Sequence, residues 1–327
     1  MQDNTIASVD FGSSSIRLCV AEYTNGALKV MGVFEKPSNG IKNGIIKNFE
    51  EASSSLRQVL NDVELSLYFT PKKVSLGLNL SAYKEYGMLS HFKCGTPVDE
   101  LLKTIINDGV QFKDYIKLFN VNGIEVDHIY PLPLTSLSVV TDEKSMRDGV
   151  ILVDIGSDST STVSVLDNKL VSRDSIPFGG KSITSDIAYI LQKNTNYSRA
   201  LKEEYGASYE ALVKDDEMIK LVQHNENILF SRKEFARIIS SRVNEILTEV
   251  KKSVDSFPRC GSYSNVLLIG GSSLLLGITK IAKDIFLLPS HIGFPMYAEG
   301  LSREYINPKY VNVLGVLKTI STRFEVR

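Results

Sequence analysis

The chain has 327 residues, with 37 basic against 38 acidic side chains and a net charge of −1. No basic block exceeds a Lys-Lys pair, so nucleic acid is excluded as the main partner. Cys19, Cys94 and Cys260 lack metal-ligand spacing and read as reduced thiols, Met1 to Asn4 carries no signal pattern, and no apolar run reaches the ~18–20 residues that cross a bilayer.

The length predicts two domains or one bilobal unit. Three strands open the chain, over 5–11, 15–23 and 28–35; Gly12-Ser13-Ser14 joins the first two and an Asn25-Gly26 turn the last two. A helix is predicted over 48–65, because Leu56, Val59, Leu60 and Val63 share one face, and a strand over 73–78 follows. The segment 83–120 gives a mixed signal, within which Thr96-Pro97 starts a helix to about Asn107. A strand over 124–129 and a helix or turn over 131–147 come next. The stretch 149–153, a Gly156-Ser157-Asp158-Ser159 turn, 161–165, an Asp167-Asn168 turn and Leu170-Val171 then repeat the opening plan. Pro177-Phe178-Gly179-Gly180 makes a tight turn before a helix over 181–193. The clearest helix covers 231–255: Ser231 and Glu234 form a capping box, and Phe235, Ile239, Val243, Leu247 and Val250 belong to its apolar stripe. A strand over 265–269, a Gly270-Gly271-Ser272-Ser273 turn and a helix from about Leu276 make a third strand, glycine turn and helix unit. His91, His128, His224 and His291 are scattered and read as ordinary surface or core residues.

Val9-Asp10-Phe11-Gly12-Ser13-Ser14-Ser15 and Val153-Asp154-Ile155-Gly156-Ser157-Asp158-Ser159 are near copies. A Gly-Ser-x-Ser hairpin offers backbone N–H groups and hydroxyls to phosphate oxygens, and the Asp that ends the strand before it can hold a metal ion. Two such hairpins facing each other form a phosphate clamp, so the fold reading is a duplicated α/β half around a cleft. The plainer reading is that these Gly and Ser residues only turn hairpins.

The two Asp-x-Gly hairpins, Gly179-Gly180 and Gly270-Gly271-Ser272 resemble the signature set of the actin/hexokinase/heat-shock-chaperone ATPase superfamily. Within it the chain resembles the FtsA family of bacterial division proteins, through residues 40–46, 177–188, 201–207, 231–250, 269–278, 288–295 and 308–317. The resemblance implies an actin-like (ribonuclease-H-like) two-lobed α/β fold. Its first lobe would span residues 1–172, its second 173–304, with 305–327 returning to the first. It also implies ATP with Mg²⁺: Gly12, Ser13, Ser14, Gly156 and Ser157 on phosphate, and Asp10 and Asp154 holding the hydrated metal. Gly179, Gly180, Lys202, Glu203, Gly270, Gly271 and Ser272 would surround ribose and adenine. Family partners would be the FtsZ C-terminal tail, further copies of the chain and other division proteins, at the inner face of the cell membrane. Arg237, Arg242 and Lys251 would dock the acidic tail within a 186–255 subdomain, the alternative being a solvated helix face.

Departures from the family pattern weaken the nucleotide site. Asp158 stands where relatives have Gly, and two negative groups ~4 Å apart repel by roughly 4 kcal/mol at an effective dielectric of 20. Ser161 replaces an Asp, Ser15 a phosphate-pairing Lys, and Leu132 the Glu or Gln that orients water before a Pro. Weak binding and at most slow turnover are expected. The family's inserted subdomain is reduced to about residues 83–115, and its C-terminal membrane helix has no counterpart by Arg327, so the chain is expected to stay off vesicles unless an anchor follows. The rival readings are an active ATPase or sugar kinase of the superfamily, and the related type IV pilus assembly protein PilM.

Overall fold

In the computed structural model the described residues are 4–24, 27–103, 112–223, 226–258, 261–296 and 300–324. Asn25-Gly26, Asn107, His224 and Cys260 lie outside them. The chain begins with β1 (Thr5–Phe11), β2 (Ser15–Thr24), β3 (Ala27–Pro37) and a small ribbon, β4 (Ile41–Lys42) with β5 (Ile45–Ile46). Then come α1 (Phe49–Leu67), β6 (Lys73–Asn79), α2 (Leu80–Glu85), α3 (Val98–Lys103), α4 (Lys113–Asn120) and β7 (Glu125–Leu132). Two short helices, α5 (Leu137–Val140) and α6 (Glu143–Asp148), lead to β8 (Val150–Ile155), β9 (Thr160–Leu166) and β10 (Lys169–Ile176). The later elements are α7 (Gly180–Leu191), α8 (Thr195–Tyr205), β11 (Met218–Gln223), β12 (Glu226–Ser231), α9 (Arg232–Asp255), β13 (Asn265–Ile269), α10 (Ile278–Phe286), β14 (Ser290–Ile292) and α11 (Val311–Phe324).

The duplication is realised in two five-stranded sheets of one plan, β3-β2-β1-β6-β7 and β10-β9-β8-β13-β14. In each, an antiparallel trio continues into two parallel strands. The central strands β1 and β8 are buried almost throughout instead of alternating, as strands covered on both faces should be. Asp167 and Asn168 both take positive φ (52° and 58°), the backbone that a two-residue hairpin turn requires.

Around the first sheet, α1 buries Leu56, Val59, Leu60 and Val63 against Val9, Leu18 and Leu76. On its other face α11 packs Val313, Val316 and Leu317 with Ile6, Cys19 and Ala21. Ser231 caps α9, its hydroxyl accepting the Glu234 N–H at 3.4 Å, and the predicted stripe of Phe235, Ile239, Val243, Leu247 and Val250 is buried with Val153 and Leu268.

The second sheet begins at Val150, so the halves built on each sheet, the two lobes, divide near 150 and not at the expected 172. Residues 84–98 reach across to the second lobe. Gly95 N–H donates to Leu170 O (2.7 Å), Leu170 N–H to Thr96 O (3.0 Å) and Val98 N–H to Asn168 O (3.0 Å). The outer edge of β10 is thereby covered by chain from the first half. Lys84 Nζ donates to Asp174 Oδ1 (2.7 Å) and Ser175 O (2.8 Å), and Arg173 Nε to Leu89 O (3.1 Å).

Candidate functional site

The two hairpin turns are built alike. Gly12 N–H donates to Ser15 O and Gly156 N–H to Ser159 O, each at 3.1 Å. A Cβ on either glycine would meet those same carbonyls at 3.0 and 2.9 Å, so glycine keeps both loops tight. They face each other across a cleft of about 630 Å³, within the size range of small-molecule sites. The first hairpin brings Asp10, Gly12, Ser13 and Ser14 to its wall and the second Asp154, Gly156 and Ser157. Gly180 opens α7 there, Lys202 and Glu203 come from α8, and Gly270, Gly271 and Ser272 follow β13. Gly179 stands just behind, where a side chain would run into the carbonyls of Gly156 and Ser157 at 2.6 Å. Gly180 N–H and Lys181 N–H donate to those two carbonyls (2.8 and 2.9 Å), which fastens the start of α7 to the second hairpin.

Arg17, Glu35, Asn79, Lys309 and Asn312 also line the cleft, beyond the expected residues. Arg17 lies opposite Asp10 in the β1–β2 register, and its Nη1 donates to Asp10 Oδ2 at 3.2 Å. Its Nε donates to Glu35 Oε1 at 3.0 Å, and Glu35 also receives Lys309 Nζ (2.9 Å) and Tyr310 Oη–H (3.0 Å). Burial works upward on the Glu35 carboxyl, but the Arg17 charge and the Lys309 and Tyr310 contacts hold it at about 2. Asn312 and Asn79 donate their amides to Asp154 Oδ2 at 2.9 and 3.3 Å. Burial raises the Asp154 carboxyl to about 6, with the Asn312 bond opposing. Lys202 Nζ donates to Gly180 O at 2.8 Å, and burial draws that ammonium down to about 8.

Asp158 differs from expectation in its surroundings. Its carboxylate accepts the Asn43 N–H across the cleft at 3.3 Å and lies 3.7 Å from Lys181 Nζ, so its charge is partly offset and joins the two lobes. Ser161 hydrogen-bonds the Asn79 side chain and, at 3.1 Å, Ser175 Oγ. Leu132 is buried among apolar residues of the α11 face and cannot orient water. Six cationic side chains and five carboxylates line the cleft, so its formal charges nearly cancel.

The donor set fits a nucleotide better than a metal. Glycine-tightened hairpins, a cleft of suitable size and Lys202 at its wall match a phosphate-bearing ligand. Asp10 and Asp154 do not fit the expected Mg²⁺: Asp10 already faces the Arg17 guanidinium, and Asp154 accepts two amide donors. Among the described residues no cluster of three His, Cys, Asp or Glu side chains could hold a metal ion.

Arg237, Arg242 and Lys251 are not free cations. Arg242 makes a two-pronged contact with Asp186 of α7 (2.6 and 2.9 Å) and a further one with Glu245, so it ties α9 to α7. Arg237 pairs with Glu210 (2.6 Å) and Glu234, and Lys251 with Asp255, in more exposed positions.

Twin sheets of one strand order with facing Asp-x-Gly hairpins between them define an actin-like protein. Solved structures share that fold: MreB 5 of Spiroplasma citri bound to AMPPNP (TM-score 0.67, 15% identity, covering 100% of this chain and 99% of that one), and a PilM-PilN type IV pilus biogenesis complex (0.69, 14%, 98% and 99%). The chain belongs to the FtsA family of cell division proteins, whose family model matches residues 151–315. Similar proteins include the cell division protein FtsA of Bacillus subtilis (strain 168), 26% identical over 97% of this chain and 84% of the relative. That of Neisseria meningitidis serogroup B (strain ATCC BAA-335 / MC58) is 25% identical over 97% and 90%. No helix among the described residues is long and apolar enough to cross a membrane.

Proposed function

We propose that this chain is a nucleotide-binding scaffold of cell division that receives the FtsZ C-terminal tail and assembles with its own copies through faces of the actin-like core. The observation that carries this reading is the pair of facing hairpins in a chain of the FtsA family. The AMPPNP bound by MreB 5, a protein of the same fold, supports a nucleotide in the equivalent cleft here. Binding is weak, because the cleft's charges nearly cancel and Asp158 adds a carboxylate to the phosphate side. Turnover is slow, because Leu132 leaves the water-orienting slot apolar.

The tail docks on the 186–255 subdomain. Arg237 and Lys251 offer the accessible charge there, since exposed ion pairs are worth only ~0–1 kcal/mol and an acidic peptide can displace their partners. Arg242 supports that surface from behind through Asp186. The chain works at the inner face of the membrane.

Fluorescence anisotropy with labelled FtsZ tail peptide, and with the tail of a type IV pilus membrane protein, tests the reading. Saturable binding of the FtsZ tail alone supports it; capture of only the pilus tail transfers the chain to PilM-like work. Phosphate release from ATP at about 1 per second or faster would refute slow turnover.

A further inference from the structure

The β1–β2 register sets Arg17 directly across from Asp10, and Glu35 on β3 grips the same guanidinium from the other side. Glu35 is in turn fixed by Lys309 and Tyr310, so the arginine is braced at the cleft wall and not merely resting against one carboxylate. Only 16% of its side chain is exposed, and Arg17 lines the cleft together with Ser13 and Ser14. The position where an actin-like cleft would gather a hydrated cation on Asp10 is therefore already occupied by a guanidinium. Asp154, the second carboxylate, spends its Oδ2 on the Asn79 and Asn312 amides. Lys202 of α8, bonded to the Gly180 carbonyl, supplies another cation to the cleft.

We propose that Arg17 stands in for the divalent metal, so that this cleft binds a nucleoside polyphosphate without Mg²⁺. The inference rests on the nucleotide reading above and deepens it. Of the five N–H donors of a guanidinium, Glu35 and Asp10 engage three here, which leaves one on each terminal nitrogen for phosphate oxygens, and the charge neither dissociates nor titrates near neutrality. The lysine missing at Ser15 is replaced by the cation two residues further along the same strand. A divalent ion added at Asp10 would face that cation at close range.

A fluorescent ADP analogue titrated into the full chain, with excess Mg²⁺ and with excess EDTA, tests this. Dissociation constants agreeing within about threefold support it, whereas a loss of about tenfold or more on chelation, ~1.4 kcal/mol, overturns it while leaving the nucleotide reading intact. Absence of saturable binding in both conditions overturns both readings. Arg17→Gln should weaken binding in EDTA by about tenfold or more and regain part of it on adding Mg²⁺, because Asp10 is then open to metal. Arg17→Lys should keep binding independent of metal. An Arg17→Gln protein that binds as the wild type does in EDTA counts against the proposal, and the wild-type comparison decides the matter should that variant not fold.

Discussion

Glu35 receives Arg17, Lys309 and Tyr310 together, and its folded carboxyl sits at about 2 against an ordinary value of 4.5. A depressed acid stabilises the fold fully above the unfolded value, and that contribution is lost as pH falls from 4.5 toward 2. Glu35→Gln should lower stability at pH 7 by up to about 3 kcal/mol and flatten the acid limb, which urea midpoints across pH would show. Parallel curves for the two proteins would count against the cluster. Asp158→Ala should cost about 1–2 kcal/mol in the same assay, since the Asn43 N–H loses its acceptor and Lys181 a neighbouring charge. Unchanged stability would mean that this link between lobes is idle. The hairpin residues were legible because glycine and serine recur in one order around Asp10 and Asp154. Arg17 was readable in principle, since a turn at Gly12 to Ser14 puts residue 17 opposite residue 10. Asn312 was not, because it meets Asp154 from 158 positions away.

Helix α9 shows what periodicity reveals and what it conceals. Its cap and apolar stripe gave its bounds to within one residue, yet the same pattern left Arg242 on a polar flank that looked solvated. The fold places Asp186 opposite, so Arg242→Glu should destabilise by about 1–3 kcal/mol, whereas Arg237→Glu should change stability by less than ~0.5 kcal/mol. Thermal melts of the two variants separate the roles, and equal melting temperatures would remove the distinction. The sequence of 131–147 suggests a helix or turn, but β7 runs on through Leu132 and two short helices follow. Its prolines at 131 and 133 deny that stretch a continuous helical ladder. Helix α8 escaped notice because only Ser198 and Leu201 are buried on it, too few to make a stripe.

The two-sheet architecture was readable from a repeated motif, because each copy carries its strands and turn with it. The tie between residues 84–98 and β10 was not, because three of its bonds run backbone to backbone, which any sequence can make, and the Lys84 and Arg173 bonds join residues 84 or more positions apart. This tie should hold the lobes in a fixed relation. Replacing Lys84 and Arg173 together by Ala removes its side-chain fastenings, and the Leu170 amide, bonded to Thr96, should then exchange about tenfold faster or more. Exchange at the wild-type rate would show that the backbone bonds alone suffice. The proposed docking site for the FtsZ tail lies within residues 186–255. Hydrogen exchange of the full chain with and without FtsZ tail peptide measures this most directly. Protection gathered within residues 186–255 is the predicted result; protection confined to the first lobe, or none at saturating peptide, would contradict it.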